Sequence, residues 1–362
     1  MSYTTIDDPS AHFQTAIWTG DGSTSDRNIT NDGNSDLAPD FIWGACRTDV
    51  QHKHLTDSSR GFSTGNKELV SNFTYPEGDT GGVNTGAYGW LGPSLTDGFE
   101  SSYGSVNNGY WNVNARTYVA WQWKAAGGTT SSNSDGQITS TVQANTTAGF
   151  SIITYTGQSA QKTVGHGLGV KPDMLIFKNR ESSSNWYIFH KDLTNYTTYA
   201  LLLNGVDTQG IYSNAMAGTE PTSTVFTVGN DTVTGNGDDH ICYAFASIQG
   251  YSKIGAYAGS EQANGPFVYL GFKPAFIMIK NATVISNWRM FDNKRIGYNV
   301  ANYKLLPNSA SQETTDVQID MLSNGFKIRT TDSEINSGVT HIYMAFAENP
   351  FVTSTKIPTT AR

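Results

Sequence analysis

A run of twelve residues in the middle of the chain returns, without a gap, 102 positions later. Leu168-Gly169-Val170-Lys171-Pro172-Asp173-Met174-Leu175-Ile176-Phe177-Lys178-Asn179 is answered by Leu270-Gly271-Phe272-Lys273-Pro274-Ala275-Phe276-Ile277-Met278-Ile279-Lys280-Asn281. A chain that repeats itself on this scale folds one unit more than once, which limits the architecture before any other feature does. A third, more distant copy opens at Pro39-Asp40-Phe41-Ile42-Trp43. Three further landmarks keep the same order. An aromatic-x-Gly turn stands at Trp18-Thr19-Gly20, Tyr155-Thr156-Gly157 and Tyr257-Ala258-Gly259. A Leu-x-[Asp/Asn]-Gly-Phe turn stands at Leu95 to Phe99 and at Leu322 to Phe326, and copy two replaces it with Ser223-Thr224-Val225-Phe226. A closing strand reads Tyr118-Val119-Ala120-Trp121, Cys242-Tyr243-Ala244-Phe245 and Tyr343-Met344-Ala345-Phe346.

The spacing divides the 362 residues into an N-terminal arm (1–12), a first module (13–124), a Gly/Ser/Thr linker (125–147), a second module (148–249), a third (250–349) and a tail (350–362). The linker composition predicts flexibility. The direct passage from copy two to copy three predicts one rigid pair. Only 15% of the residues are charged while 12% are aromatic, and 37 are glycine. Short strands joined by tight turns follow from that balance, so the expected fold is all-β, three tandem β-sandwich-like modules built from one repeated unit. The proline-led strand is apolar at consecutive positions, as expected of a strand covered on both faces. The closing strand alternates a large face (Val119 and Trp121, Tyr243 and Phe245, Met344 and Phe346) with an alanine face (Ala120, Ala244, Ala345). The large face is expected to fill each sandwich, and the alanine face to receive a neighbouring backbone.

The charge pattern removes several functions. Net charge is -8 and no basic stripe occurs, so a nucleic-acid partner is not expected. The start, Met1 to Asp8, is polar and unlike a signal peptide, and no run reaches the ~20 apolar residues of a span, so membrane insertion is not expected. Cys46 and Cys242 read as buried thiols. The seven histidines lack metal-ligand spacing. Asp32-Gly33-Asn34-Ser35-Asp36 and Asn236-Gly237-Asp238-Asp239 resemble calcium loops but lack the closing glutamate, and read as polar turns. Gly165-His166-Gly167-Leu168-Gly169 opens no helix and reads as a turn. Asp57-Ser58-Ser59-Arg60 and Asp292-Asn293-Lys294-Arg295 share a spacing that predicts a local ion pair bracing a loop. No nucleophile elbow is present. Neither catalytic residues, nor a metal, nor a cofactor, are therefore expected, and the chain reads as a non-enzyme. Copy one carries an aromatic, glycine-rich insert. Its Tyr88, Trp90, Tyr103, Tyr110 and Trp111 are the expected ligand-binding surface, because loop aromatics stack on sugars or form interfaces.

The start Tyr3 to Ala11, the motif His166 to Pro172, the Leu-x-Asn-Gly-Phe turn, the strand Tyr118 to Trp121 and the end Ala345 to Phe351 together resemble a repeat of structural, tail-fibre-like proteins of marine tailed bacteriophages of the cyanophage and pelagiphage type. Copy one departs from that pattern, with Ala45-Cys46-Arg47 in place of Lys-Asn-Arg. The resemblance supplies no catalytic or ligand residues. It implies a virion protein, assembled in the host cytoplasm, of the tail or tail fibre. Host-surface attachment would then run through a glycan or protein. The expected partners are other virion proteins and copies of itself, a trimer among the options. The alternatives are a capsid decoration or head-tail accessory protein that clamps neighbours through its ends and, further off, a polysaccharide depolymerase.

Overall fold

The computed structural model describes residues 4–62, 66–79, 85–295, 299 and 301–350. Each copy builds its main sheet in one antiparallel order: opening strand, closing strand, proline-led strand, bracing strand. In copy one these are Phe13–Thr19, Thr117–Trp123, Phe41–Cys46 and His54–Asp57, with Leu69–Val70 added at the edge. Copy two uses Phe150–Thr156, Asp239–Phe245, Met174–Asn179 and Tyr187–His190. Copy three uses Ser252–Ala258, Thr340–Pro350, Phe272–Asn281 and Arg289–Asp292. The register is shared as well. Phe41, Met174 and Phe276 stand opposite Trp123, Phe245 and Phe346. The segments that follow Pro39, Pro172 and Pro274 therefore hold one topological place. Proline has no N–H to give a ladder, and at Pro274 the strand accommodates it with a shift of register.

A smaller sheet covers one face of each main sheet. It comprises Arg27–Ile29, Phe99–Ser102 and Trp90–Ser94 in copy one, Lys162–Gly165 with Val225–Val228 in copy two, and Phe267–Tyr269, Gly325–Ile328, Thr314–Leu322 and Ala301–Lys304 in copy three. The Leu-x-x-Gly-Phe glycines are needed for close approach. A Cβ on Gly98 would lie 2.0 Å from the carbonyl oxygen of Ile29, and one on Gly325 would lie 2.1 Å from that of Val268. Copy two keeps a glycine in this ladder on the opposite strand, where Gly165 faces Val225.

The two faces of the closing strand are used the other way round from the sequence expectation. Ala120, Ala244 and Ala345 point into the three separate sandwich cores, beside Trp18 and Phe99, Phe177 and Phe226, and Ile277 and Phe326. Trp121 and Trp123, Tyr243 and Phe245, and Met344 and Phe346 meet instead in one core common to all three copies. The reason is volume. Each sandwich is already filled by its smaller sheet, so alanine is what fits. The space between three sheets has no other filling, so it takes the aromatics. Phe13 stacks on Phe346 at 5.3 Å, Phe41 on Tyr243 at 4.4 Å, and Trp123 lies edge-on to Phe276 at 5.8 Å. Each of these large side chains contributes roughly 1.5–3 kcal/mol by burial.

Two segments differ from the flexible pieces expected. Within 125–147, Ser131–Asn133 and Ser140–Asn145 are strands that extend the second sheet beyond Phe150–Thr156. Their side chains are small and polar, but the ladder is held by backbone groups, and Ile138 and Val142 are buried at 3% and 5% exposure. The start of the segment is pinned by Asp40, whose carboxylate accepts from the N–H groups of Ala125, Gly127 and Gly128. Copy one is thus fixed to copies two and three rather than tethered beside a rigid pair. The arm docks on its own chain, with Ile6 in the common core, Thr4 against Gly250, and the Asp8 carboxylate accepting from Ser10 and Ser35. Of the expected tail, residues 351–362 lie outside the described residues.

Candidate functional site

The three copies contact one another head to tail, and the same backbone bonds recur at each seam. Copy two meets copy one through Ser184 N–H to Thr74 O (2.9 Å) and Glu77 N–H to Arg180 O (2.8 Å). Copy three meets copy two through Ser286 N–H to Val206 O (2.9 Å) and Gln209 N–H to Ala282 O (2.8 Å). Copy one meets copy three through Gln51 N–H to Ala310 O (3.0 Å) and Glu313 N–H to Arg47 O (2.8 Å). The ring is closed. Side chains repeat the pattern. The Tyr243 hydroxyl donates to Asp57 at 2.8 Å, Trp121 Nε1 donates to Asp292 at 3.0 Å, and His190 Nε2 lies 3.3 Å from Tyr343 O. The indoles of Trp186 and Trp288 donate across their seams to Val70 O and Leu202 O, each at 2.9 Å. Lys53 takes that place in copy one, donating to Ser311 O at 3.0 Å.

Charge separates the seams. Between copies two and one, Arg60 and Arg180 close on Glu77, with Arg60 also bound to Asp57 at 2.6 Å. Between copies one and three, Arg295 and Arg47 close on Glu313 at 2.8 and 2.9 Å, with Arg295 bound to Asp292 at 2.6 Å. The Asp-x-x-Arg pairs form and brace their loops as expected, each aspartate also accepting from the arginine backbone N–H at 3.0 Å, but they are not on the surface. Their side chains are 0% exposed and sit in seams. Arg47, the one residue of Ala45-Cys46-Arg47 that keeps the repeat pattern, holds the place of Arg180. Between copies three and two the equivalent positions are Leu193, Gln209 and Ala282, which carry no charge. Burial alone would raise the Glu77 carboxyl, but its arginines outweigh it and hold the group down at about 2. Burial also lowers three seam lysines that lack a carboxylate within bonding distance, Lys53 among them at about 8. Lys178, donating to Thr74 O, falls to about 7, and Lys280, donating to Val206 O, falls to about 8.

The aromatic insert of copy one divides into a core part and a surface part. Trp111 is only 1% exposed and belongs to the first sandwich core, where its carbonyl accepts from Trp18 Nε1 at 3.0 Å. It is not available to a ligand. Tyr110 is half-buried between Tyr88 (5.6 Å) and His54 (4.9 Å). Trp90 and Tyr103 are half-buried and line a shallow depression of about 410 Å³ with Gly86, Ala87, Gly104 and Ser105. Tyr75, which belongs to the same aromatic insert, stands in a neighbouring trio whose other two members, Phe73 and His52, sequence reasoning missed. Phe73, 41% exposed, stacks on Tyr75 at 4.7 Å, and His52 stands edge-on to Phe73 at 5.1 Å. The alternation Phe73-Thr74-Tyr75 was the available signal.

Residues 8–350 match one family along all three copies. The chain belongs to the family described as Domain of unknown function (DUF7483). Neither a curated protein nor a solved structure matches it. The family description brings no chemistry, so what the site can do follows from its groups alone.

Those groups are mostly engaged. Asp32 of the first calcium-like loop pairs with Lys294 at 2.7 Å. Asp238 of the second accepts from Asn179, Asn236 and Ser182. Among the described residues no three His, Cys, Asp or Glu side chains are arranged to hold a metal ion. His54 and Glu68 form a buried pair at 3.0 Å beneath Tyr110. Cys46 and Cys242 are buried free thiols. Among the described residues no helix is long and apolar enough to cross a membrane.

Proposed function

We propose that this protein is a structural component of a tailed-phage virion, carried on the tail or its fibres, where it helps the particle contact its host. The observation that carries the reading is the closed ring of three β modules around one aromatic core. Such a body is stiff, because each module is held at two seams and no module can swing without breaking buried bonds. A stiff body that presents half-buried aromatics on loops suits repeated, shallow contact with a surface, where many weak contacts add through multivalency. The repeat resemblance supports the same role. The head-to-tail contacts that a trimer of chains would use are made here inside one chain, so self-association in the virion uses other surfaces.

The capsid-clamp reading needs ends that reach neighbours. Residues 4–12 pack on their own chain, which leaves that reading without support from the arm. The test is gold labelling of purified virions with antibody to the protein, read by electron microscopy, together with adsorption of the purified protein to host cells. Label on the tail or fibres with saturable adsorption is expected. Label confined to the capsid, or none on the particle, would sink the role.

A further inference from the structure

Among the described residues, only the seam between copies two and one has a further strand beside its opening strand, and at the seam between copies one and three the corresponding space is left as a cleft. At the seam between copies two and one, the strand Ser140–Asn145 lies beside the opening strand, and Gln143 faces Ile152 across the ladder. The Gln143 amide then donates to Ser58 Oγ at 3.0 Å and to Ser59 Oγ at 2.8 Å, closing the space between the modules. At the seam between copies one and three, the counterparts of Ser58 and Ser59 are Asn293 and Lys294, and the counterpart of Ile152 is Thr15. No strand of the described residues lies beside Phe13–Thr19 on that side. A cleft of about 400 Å³ remains.

The lining of the cleft is unlike a leftover gap. Thr15 is 4% exposed and its hydroxyl has no hydrogen-bond partner, whereas copies two and three place Ile152 and Ile254 at this position. A buried hydroxyl without a partner costs free energy that isoleucine would avoid. Asn34, Asn293 and Asn349 also line the cleft, and their carboxamides make no hydrogen bonds among the described residues. Asp32 and Lys294 neutralise each other in its wall.

We infer that this cleft binds a neutral saccharide unit. The inference rests on the attachment role and deepens it by placing glycan recognition at the seam rather than on the aromatic insert. Carboxamides both donate and accept, which is what neighbouring sugar hydroxyls require. Asp32 is paired with Lys294 and the lining Glu348 with Lys273 at 3.0 Å, so no unpaired charge is left among the described residues of the lining to draw an ionic ligand. The volume is at the small end of the range for small-molecule sites, fitting one or two sugar rings. Thr15 forms part of the cleft wall, where the bulkier isoleucine of the other copies would narrow the space a sugar ring needs.

The test is calorimetric or saturation-transfer titration of the full chain with glucose, galactose, mannose, N-acetylglucosamine, cellobiose and lactose. At least one is expected to bind, with a millimolar dissociation constant. Thr15→Ile, which installs the residue of the other two copies and keeps the thermal midpoint, is expected to weaken binding at least about tenfold, and Asn293→Ala likewise. Absence of binding by every sugar overturns the inference. So does binding that both substitutions leave unchanged, or a structure in which a peptide strand fills the cleft as Ser140–Asn145 fills its counterpart. The two levels fail separately. Sugar binding in this cleft by a protein absent from virions keeps the site and removes the role, and a tail-located protein with an inert cleft does the reverse.

Discussion

The two seams made by copy one are charged, and the seam between copies two and three is not. At the first two, an Arg–Glu–Arg triad and an aspartate are buried (Arg60, Glu77, Arg180 with Asp57, and Arg295, Glu313, Arg47 with Asp292). At the third, Leu193, Gln209, Ala282 and His190 fill the same places, and the seam is held by the backbone bonds and the His190, Trp288 and Lys280 contacts, none of them an ion pair. Connectivity accounts for the difference better than stability does. Copies two and three pass into each other through Ser247 to Tyr251, so their pairing is set by the chain. Copy one reaches copy two only through residues 125–147, and must close on copy three with no direct connection. Buried ion pairs add little net stability but penalise wrong pairings heavily, because a misdocked surface strands a buried charge. The charged seams thus select which faces of copy one dock where.

The strongest way to break this comparison is to remove one member of a charged seam. Asp57→Ala leaves the buried Arg60 with only its longer carboxylate contact to Glu77 and strips the Tyr243 hydroxyl of its acceptor, and is expected to lose about 3–5 kcal/mol in urea unfolding. Gln209→Ala at the neutral seam removes a side chain whose position is held by a backbone bond, and is expected to lose no more than about 1 kcal/mol. Equal losses at both seams would end the distinction. A sharper version converts one seam into the other. The combined change Arg47→Ala, Glu313→Gln, Arg295→Leu and Asp292→His is expected to be less destabilising than Glu313→Gln alone, which leaves two buried arginines facing a neutral group. A chain that needs the charges for stability rather than selection would show the opposite order.

Phe346→Ala tests the core that the seams enclose. The ring packs against Phe13, Trp123 and Tyr251, so its loss is expected to cost about 3–5 kcal/mol and to loosen all three modules together. Hydrogen exchange reads the second part. Protection lost only in copy three would mean that the common core is not shared energetically.

Much of this was legible in the sequence, and the failures have physical causes. The proline-led and closing strands, the order of the four landmarks and the glycine turns followed from the repeat, whereas the bracing strand and the order of strands within each sheet did not. The alternation of large and alanine residues on the closing strand was also visible, but alternation says that two faces differ and not which one is shared between modules. The polar atoms were the missed clue, because the Trp121 indole and the Tyr243 hydroxyl both need partners when buried, and both find aspartates in a neighbouring module. Residues 125–147 misled by composition, since strands held by backbone bonds at a sheet edge do not need apolar side chains. Trp111 was read with its neighbours as surface because aromatic residues in a glycine-rich insert look alike in sequence. The seam triads were out of reach, since Glu77 and Glu313 lie in loops whose partners are set by the closed ring.

The pH response should divide between the buried carboxylate and the buried lysines, which sit at both kinds of seam. Glu77 in a charged seam sits at about 2, below its ordinary 4.5, so the unfolded chain binds its proton first. Its contribution is present above pH 4.5 and is lost as pH falls toward 2. Lys178 and Lys280 sit at about 7 and 8, below the ordinary 10.5, so between these values the unfolded state again holds more protons. Stability therefore rises with pH from about 7 to 10.5, and the cost of the buried ammonium groups returns as pH falls. Lys280 at the neutral seam shares the alkaline rise with Lys53 and Lys178 at the charged ones, so Lys280→Met is expected to remove only part of that rise of the thermal midpoint without touching the acid limb. Glu77→Gln should alter the acid limb and leave the alkaline rise in place. If Lys280→Met changed both limbs, the seams would be titrating as one network, and the separation between charged and neutral joints would have no energetic content.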